Sequence, residues 1–361
     1  MGFRRYGFRI LVINPGSVST KIAYFEDERK VWEEKLHHPI EELRKYSKLI
    51  EQLPMRKEII IESMHRHGLR EVELSAIAAR GGLLKPLISG VYRVNRRMLD
   101  DLSSMKYGAH ASNLGAILGV EIGQPYNVPV YIVDPVVVDE MEPIAKVSGL
   151  PEIERKSIFH ALNQKYVARI VAEELGKHYE ECAFIVAHMG GGISVGVHKD
   201  GRVVDVNNAL NGEGPFTPER TGTLPVWQLI ELVLSGKYTR EQLWKKIVGQ
   251  GGMVAYLGTN DLREVKRRIE AGDSEAKLIY EAMAYQIAKE IAAGAAVLKG
   301  KIDAIILTGG LANEQDFVDL IKERVDFLAP VKVYPGEREM EALAYGVLRV
   351  LRGEIDAHEY S

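Results

Sequence analysis

Cysteine is almost absent from this sequence: Cys182 stands alone among 361 residues. A single thiol cannot close an intrachain disulfide, so nothing in the chain calls for an oxidising compartment. A charge bias is missing too. With 47 basic and 50 acidic residues the formal net charge is −3, which excludes the overall basic character of a dedicated nucleic-acid binder and leaves only local patches open. Long apolar runs are also lacking. The N-terminal run ILVI stops at Asn14-Pro15-Gly16, too short for the core of a secretion signal, and no segment reaches the length of a membrane-spanning helix. What is present is ordinary for a folded protein: 46% hydrophobic and 27% charged residues, at a length that favours two domains. The expectation is a soluble, cytoplasmic protein with no membrane or nucleic-acid partner.

Against that background the stretch AHMGGGISVGVH, residues 187–198, stands out. Glycine is costly inside a strand, so three in a row between two apolar runs mark a hairpin corner or a close approach of backbone to a ligand such as a phosphate. The N-terminal stretch RILVINPGSVSTKIAYFEDERKVWEE has the same order: apolar run, short glycine turn, alternating apolar run, charged bend, third strand. Asn14 opens the first turn and His188 the second. This is a structural repeat at half the chain length, and it predicts two related α/β domains. A third turn, Thr308-Gly309-Gly310-Leu311, follows the apolar run Asp303–Leu307. Between the turns, Leu74–Ala79 and Val128–Val133 read as strands. Val91–Leu102, Ser157–Leu175, Trp227–Ser235, Arg240–Val248, Ser274–Leu298 and Glu339–Leu351 read as helices. The expected boundary divides residues 1–155 from residues 156–338, with the terminal helix, 339–361, crossing back to the first domain.

Three glycine turns in this order, with the duplication, resemble the superfamily shared by actin, sugar kinases, heat-shock chaperones and acetate kinases. The detailed residues narrow the resemblance to the acetate and butyrate kinase family. They are Asn14-x-Gly16-Ser17-x-Ser19-x-Lys21, Phe159-His160 with Lys165-Tyr166-Val167, the His188 turn, and Arg220-Thr221-Gly222-Thr223. Gly258-Thr259-Asn260-Asp261-Leu262-Arg263 and Glu341-Ala342-Leu343-Ala344 also match. Acetate kinases carry a His-Arg-Val-Val-His-Gly-Gly pattern where this chain reads Ala76-Ile77-Ala78-Ala79-Arg80-Gly81-Gly82. That Arg-Gly-Gly form is similar to butyrate and branched-chain fatty acid kinases. The resemblance implies two duplicated actin-like ATPase (ribonuclease H-like) domains closing by a hinge around a nucleotide cleft, ATP/ADP and Mg2+ as cofactors, and a homo-oligomer.

It also implies a reaction: reversible, direct in-line phosphorylation of a short-chain carboxylate, butyrate or isobutyrate, to an acyl phosphate, with no phosphoenzyme. A carboxylate is already ionised at neutral pH and needs no general base. Its difficulty is approaching a polyanion, so the site must supply cations and backbone donors. Arg80 and Arg220 would clamp carboxylate and phosphoryl oxygens, and His160 and His188 would donate to them. Asn14, Ser17, Ser19, Lys21 and the N–H groups of Gly190, Gly191 and Gly192 would line the phosphates. Gly309 and Gly310 would lie against adenosine. Asp134 and Glu341 would approach Mg2+, with Glu339 two places earlier as the other choice. Ala79, Ala109 and Phe159 would wall the acyl pocket, where small residues make room for longer acids.

Plainer roles stand beside these. Arg80 pairs with a surface carboxylate, Lys21 ends a strand, and Arg220 sits in a long polar loop. His110 is a core or helix-capping residue, His65 and His67 are solvated, and Cys182 is a small buried apolar residue. Two rival functions remain: a nucleotide-gated binding protein, and a hydroxyl kinase with Asp134 as its base.

Overall fold

The computed structural model describes residues 7–361. Residues up to Val138, together with Arg338–Ser361, form one compact unit; Asp139–Glu337 form the other.

The first unit is built on β1 (Arg9–Pro15), β2 (Ser19–Glu26), β3 (Arg29–His37), β4 (Ala76–Ala79), β5 (Val91–Arg93) and β6 (Val130–Val133). The second is built on β7 (Ala183–Met189), β8 (Ile193–Lys199), β9 (Arg202–Val206), β10 (Ala304–Gly309) and β11 (Val331–Pro335). A short β12 (His358–Glu359) returns to the first sheet beside β5. The orders are β12-β5-β6-β4-β1-β2-β3 and β11-β10-β7-β8-β9.

These orders contain one topology twice. β6, β4 and β1 run parallel and continue as the antiparallel meander β1-β2-β3. β11, β10 and β7 run parallel and continue as β7-β8-β9. The likeness reaches details. Each meander has a register shift before its second corner, after Tyr24 and after Val197. Each second corner holds an aspartate at positive φ, Asp27 and Asp200, both at 51°. Aspartate tolerates that region because its short side chain bonds locally.

Strand alternation sorts the cores. Leu11, Ile13, Ile77 and Ala79 face a cluster with the helices Leu53–Arg66 and Asn113–Gly123. The helix Glu339–Leu351 packs on β1, β4 and β6, with Gly346 against Val133. In the second unit Ile185, Ala187, Ile305 and Leu307 join the long helix Ser274–Val297 and the helix Gln315–Val325. Phe184, Val186 and Ile306 turn the other way, toward the helix Ala161–Glu174. Cys182 is buried in that second cluster.

Two element expectations are corrected. Val91–Arg93 is a strand, held by β6 and β12, and its helix begins only at Arg96, where Asn95 accepts a hydrogen bond from the N–H of Met98 (3.0 Å). The helix expected from Ser157 begins at Ala161. His160 has φ −83° and ψ 59°, outside the helical region.

Candidate functional site

In the first unit the predicted residues gather at the carboxyl ends of the parallel strands, where open α/β sheets place their ligands. Asn14 is next to last in β1, Arg80 follows β4 and Asp134 follows β6; the pairs Ile13–Ala79 and Ala79–Ile132 set the strands level. Glu339, in the first turn of the terminal helix, joins them. Its Oε2 accepts from Asn14 Nδ2 (2.7 Å) and forms an ion pair with Arg80 Nη1. Glu341 lies elsewhere, paired with Lys30 (2.8 Å). Two residues along a helix rotate the side chain by about 200°, so the helix face that brings Glu339 to Asn14 must carry Glu341 away. Asp134 is buried and sits at φ 36°; its Oδ1 accepts from Ser89 Oγ (2.6 Å) and the N–H of Gly90 (2.8 Å). Left-handed backbone at a non-glycine residue carries strain, and those donors hold the carboxylate in place against it.

The β1–β2 turn runs from Gly16 to Ser19, closed by the Gly16 N–H donating to Ser19 O (2.7 Å). Ser17 is exposed, Ser19 and Lys21 are half-buried, and Lys21 stands opposite Asn14 in the ladder. Beneath the turn lies a residue absent from the sequence expectations, Arg56, fully buried. A signal for it existed: Leu53, Arg56, Ile60, Ser63 and Met64 share the buried stripe of one helix, and an arginine on such a stripe has something to hold.

Ala79 is fully buried at the end of β4, and Ala109 is exposed. Phe159 is 2% exposed. His110 is exposed rather than in the core, and its Nδ1 accepts from the N–H of Ser112 (3.2 Å), the residue before the helix Asn113–Gly123, which has no side-chain cap among the described residues.

In the second unit two predicted histidines meet face to face. The rings of His160 and His188 stack with centroids 3.8 Å apart and planes inclined by 12°. Their hydrogen bonds give them opposite tautomers. Gln164 Nε2 donates to Ser194 O (3.0 Å) and Ser194 Oγ (2.8 Å). The His160 backbone N–H takes the second lone pair of Ser194 Oγ (3.4 Å), so the hydroxyl directs its own hydrogen to Nδ1 of His160 (2.8 Å), and the neutral form of that ring carries its proton on Nε2. For His188 the partner is Asn163, whose Nδ2 donates to Glu337 O and whose Oδ1 faces His188 Nδ1 (2.8 Å). An amide oxygen only accepts, so His188 carries its proton on Nδ1. Ser194, Gln164 and Asn163 escaped the sequence reading, although Asn163 and Gln164 lie three and four residues beyond His160, one helical turn on.

The glycine turn Gly190–Gly192 closes the β7–β8 hairpin, with Gly190 N–H donating to Gly192 O (3.0 Å). Thr217 Oγ1 donates to Gly191 O (2.6 Å), and a β-carbon on Gly190 would sit 3.5 Å from His188 Nε2. The guanidinium of Arg220 lies against Gly192. A β-carbon there would sit 2.2 Å from Nη1, so the third glycine is the space the arginine occupies. Arg220 Nη1 donates to Ala209 O (2.5 Å), while its buried Nε has no partner among the described residues. Burial lowers this guanidinium's pKa from its ordinary value, and Glu219 beside it acts in the opposite sense. Gly309, at φ 90°, lets the end of β10 approach the end of β7 closely, since a β-carbon would meet the Met189 backbone at 2.4 Å. Gly310 is exposed, with open space around it.

This two-unit α/β architecture has solved counterparts. It matches an acetate kinase from Porphyromonas gingivalis with TM-score 0.77 and 20% identity, covering 96% of this chain and 100% of that one. A propionate kinase from Francisella tularensis matches with TM-score 0.71 and 20% identity, over 94% of this chain and 98% of that one. An acetate kinase from Entamoeba histolytica matches at 0.73 and 16%, over 94% and 98%. At these identities the likeness is one of fold. The profile of the Acetokinase family matches residues 151–336, just over half of the 361 residues, and the chain belongs to that family.

Proposed function

We propose that this protein is an ATP-dependent short-chain carboxylate kinase, forming an acyl phosphate and ADP reversibly by direct in-line transfer. The observation that carries the reading is the Arg80–Glu339 pair at the carboxyl ends of β1 and β4. The Arg80 guanidinium already engages a carboxylate oxygen there through Nη1, and a guanidinium suits an acid substrate. The donors of the second unit support a phosphoryl partner: with the Ser194 hydroxyl on Nδ1, His160 holds its N–H on Nε2, Arg220 lies against the glycine turn, and Gly191 and Gly192 would supply backbone amides. Donors rather than bases are what this chemistry needs, because the nucleophile arrives ionised. Adenosine would lie against Gly309 and Gly310.

No group of three or more His, Cys, Asp or Glu among the described residues is arranged to cage a metal. Single carboxylates with committed oxygens, Asp134 and Glu339, fit Mg2+ held chiefly by phosphate and water. Bound there, the ion would neutralise phosphate charge. The preferred acids are butyrate and isobutyrate, on the resemblance of Arg80-Gly81-Gly82 and on the small, exposed Ala109.

We also propose a homo-oligomer. The helix Val226–Leu234 has seven apolar residues in nine, yet none is buried. Trp227 is 67% and Leu234 79% exposed, and Trp244 of the next helix lines an apolar cavity of about 910 Å³ with Val233, Leu243 and Ile247. A helix this rich in apolar residues normally buries them, and a second copy of the same hairpin is the self-complementary cover that a two-fold contact provides. Light scattering should give a multiple of 40.3 kDa, reduced by Trp227→Glu with Leu234→Glu. A wild-type monomer ends this part of the proposal.

The function is tested by trapping product with hydroxylamine. Protein with Mg·ATP is given acids from acetate to hexanoate, including isobutyrate and isovalerate, with glycerol and glucose as hydroxyl controls. Hydroxamate peaking at four or five carbons is the expected result. ADP release with a hydroxyl acceptor and no hydroxamate would replace the reading with the sugar-kinase alternative. ATP binding without transfer to any acceptor would favour a nucleotide-gated binding protein.

A further inference from the structure

Arg56 is the largest of the fully buried side chains, and it is charged. Its Nε and Nη2 donate to Gln52 Oε1 (3.1 and 2.9 Å). Its other described donations go to the β1–β2 turn and the start of β2: Nη1 to Gly16 O (3.0 Å), Ser19 O (3.4 Å) and Thr20 Oγ1 (3.0 Å), and Nη2 to Ser17 O (3.2 Å). All of these acceptors are neutral. Thr20 Oγ1 in turn meets Nε2 of buried His38 (2.8 Å), and burial beside Arg56 holds that histidine neutral, lowering its pKa to about 4. Burial lowers the guanidinium itself to about 10, which leaves it charged at neutral pH. A buried cation whose hydrogen-bond partners include no carboxylate is an expensive arrangement, and a glutamate at position 52 would relieve it.

The turn shows what the charge is for. In a planar trans peptide the C=O of one residue and the N–H of the next point in opposite directions. With the carbonyls of Gly16 and Ser17 drawn inward to Arg56, the N–H groups of Ser17 and Val18 point outward. Neither has a hydrogen-bond partner among the described residues, and both residues are exposed. Two outward amides backed by a buried cation make a concavity suited to an oxyanion.

We propose that Arg56 is a positioning residue for nucleotide phosphate: it turns the Ser17 and Val18 amides outward and supplies, from beneath, a positive charge whose counter-charge is the bound phosphoryl group. This rests on the nucleotide reading above. The chemical class it selects is a terminal phosphate or pyrophosphate oxyanion, and the nucleoside plays no part in it.

The test compares Arg56→Lys and Arg56→Gln with the wild type in calorimetric binding of pyrophosphate, ATP and adenosine. Removing a unit charge about 8 Å from an anion, at an effective dielectric near 20, corresponds to about 30-fold in affinity. Arg56→Gln should therefore weaken pyrophosphate and ATP about 30-fold and leave adenosine unchanged. Arg56→Lys, which keeps the charge, should lie within about 5-fold of wild type. Equal losses in the two variants, or no loss in Arg56→Gln, would overturn the inference. A second measurement uses the wild type alone, should Arg56→Gln fail to fold. The Nε–H resonance of Arg56 should shift on adding pyrophosphate, and an unmoved resonance at saturation sinks the idea. Wild-type protein that binds neither ATP nor pyrophosphate would instead fail the nucleotide reading itself.

Discussion

His160 and His188 lie ring on ring, 3.8 Å apart, with their Nδ1 atoms committed in opposite senses: one accepts from Ser194 and the other donates to Asn163. Nitrogen-15 shifts at neutral pH should therefore report an Nε2–H tautomer for His160 and an Nδ1–H tautomer for His188. Ser194→Ala should mix the tautomers of His160 alone and lower kcat about 10-fold or more, as loss of an oriented donor does. Like tautomers on both rings in the wild type would contradict the assignment.

Glu339 and Glu341 separate two readings of the terminal helix. Glu339→Gln removes the charge that holds Arg80 beside Asn14 and should lower kcat/KM about 100-fold or more. Glu341→Gln breaks only a partly exposed pair with Lys30, worth about 0–1 kcal/mol, and should leave kcat/KM within about twofold. Steady-state kinetics on the two variants decide it, and equal effects would argue against Glu339.

Gly192→Ala should act through Arg220. The new methyl group would displace the guanidinium, at a cost of about 100-fold in kcat. Because both changes touch one interaction, Gly192→Ala placed on Arg220→Ala should cost little more. Additive losses in that double-mutant cycle would mean the glycine serves something else.

His38 predicts an acid-side loss of stability. Its pKa falls from an ordinary 6.5 to about 4 in the fold, because of burial and the charge of Arg56, and its remaining ring nitrogen is buried without a partner among the described residues. The unfolded chain therefore binds the proton first as pH drops. Stability is complete above pH 6.5 and declines toward pH 4, by up to about 3 kcal/mol from this group. Denaturant titrations across that range should show a shallower decline in His38→Gln than in wild type. Identical slopes would remove His38 from the account.

Much of this protein was readable along the chain because the signals are local. A strand followed by glycine needs only neighbouring residues to declare itself, so the turns at Gly16, Gly190 and Gly309 were visible, as were the ends of the helix Arg240–Val248, and the alternating runs after the first two turns made the duplicated meander visible. Val91–Arg93 misled because three residues are too few for a period, and pairing with β6 and β12 settled them.

What the tertiary structure decided is which partners distant side chains find. The rotation of the terminal helix on its sheet put Glu339 beside Asn14 and Arg80 and Glu341 beside Lys30, a difference of about 200° that spacing alone leaves open. Burial sealed Ala79 in the core while leaving Ala109 exposed. Arg56 lies some forty residues from the turn it supports, and no local pattern encodes that contact. Sequence periodicity reports which face of an element is buried; only packing determines what that face is buried against.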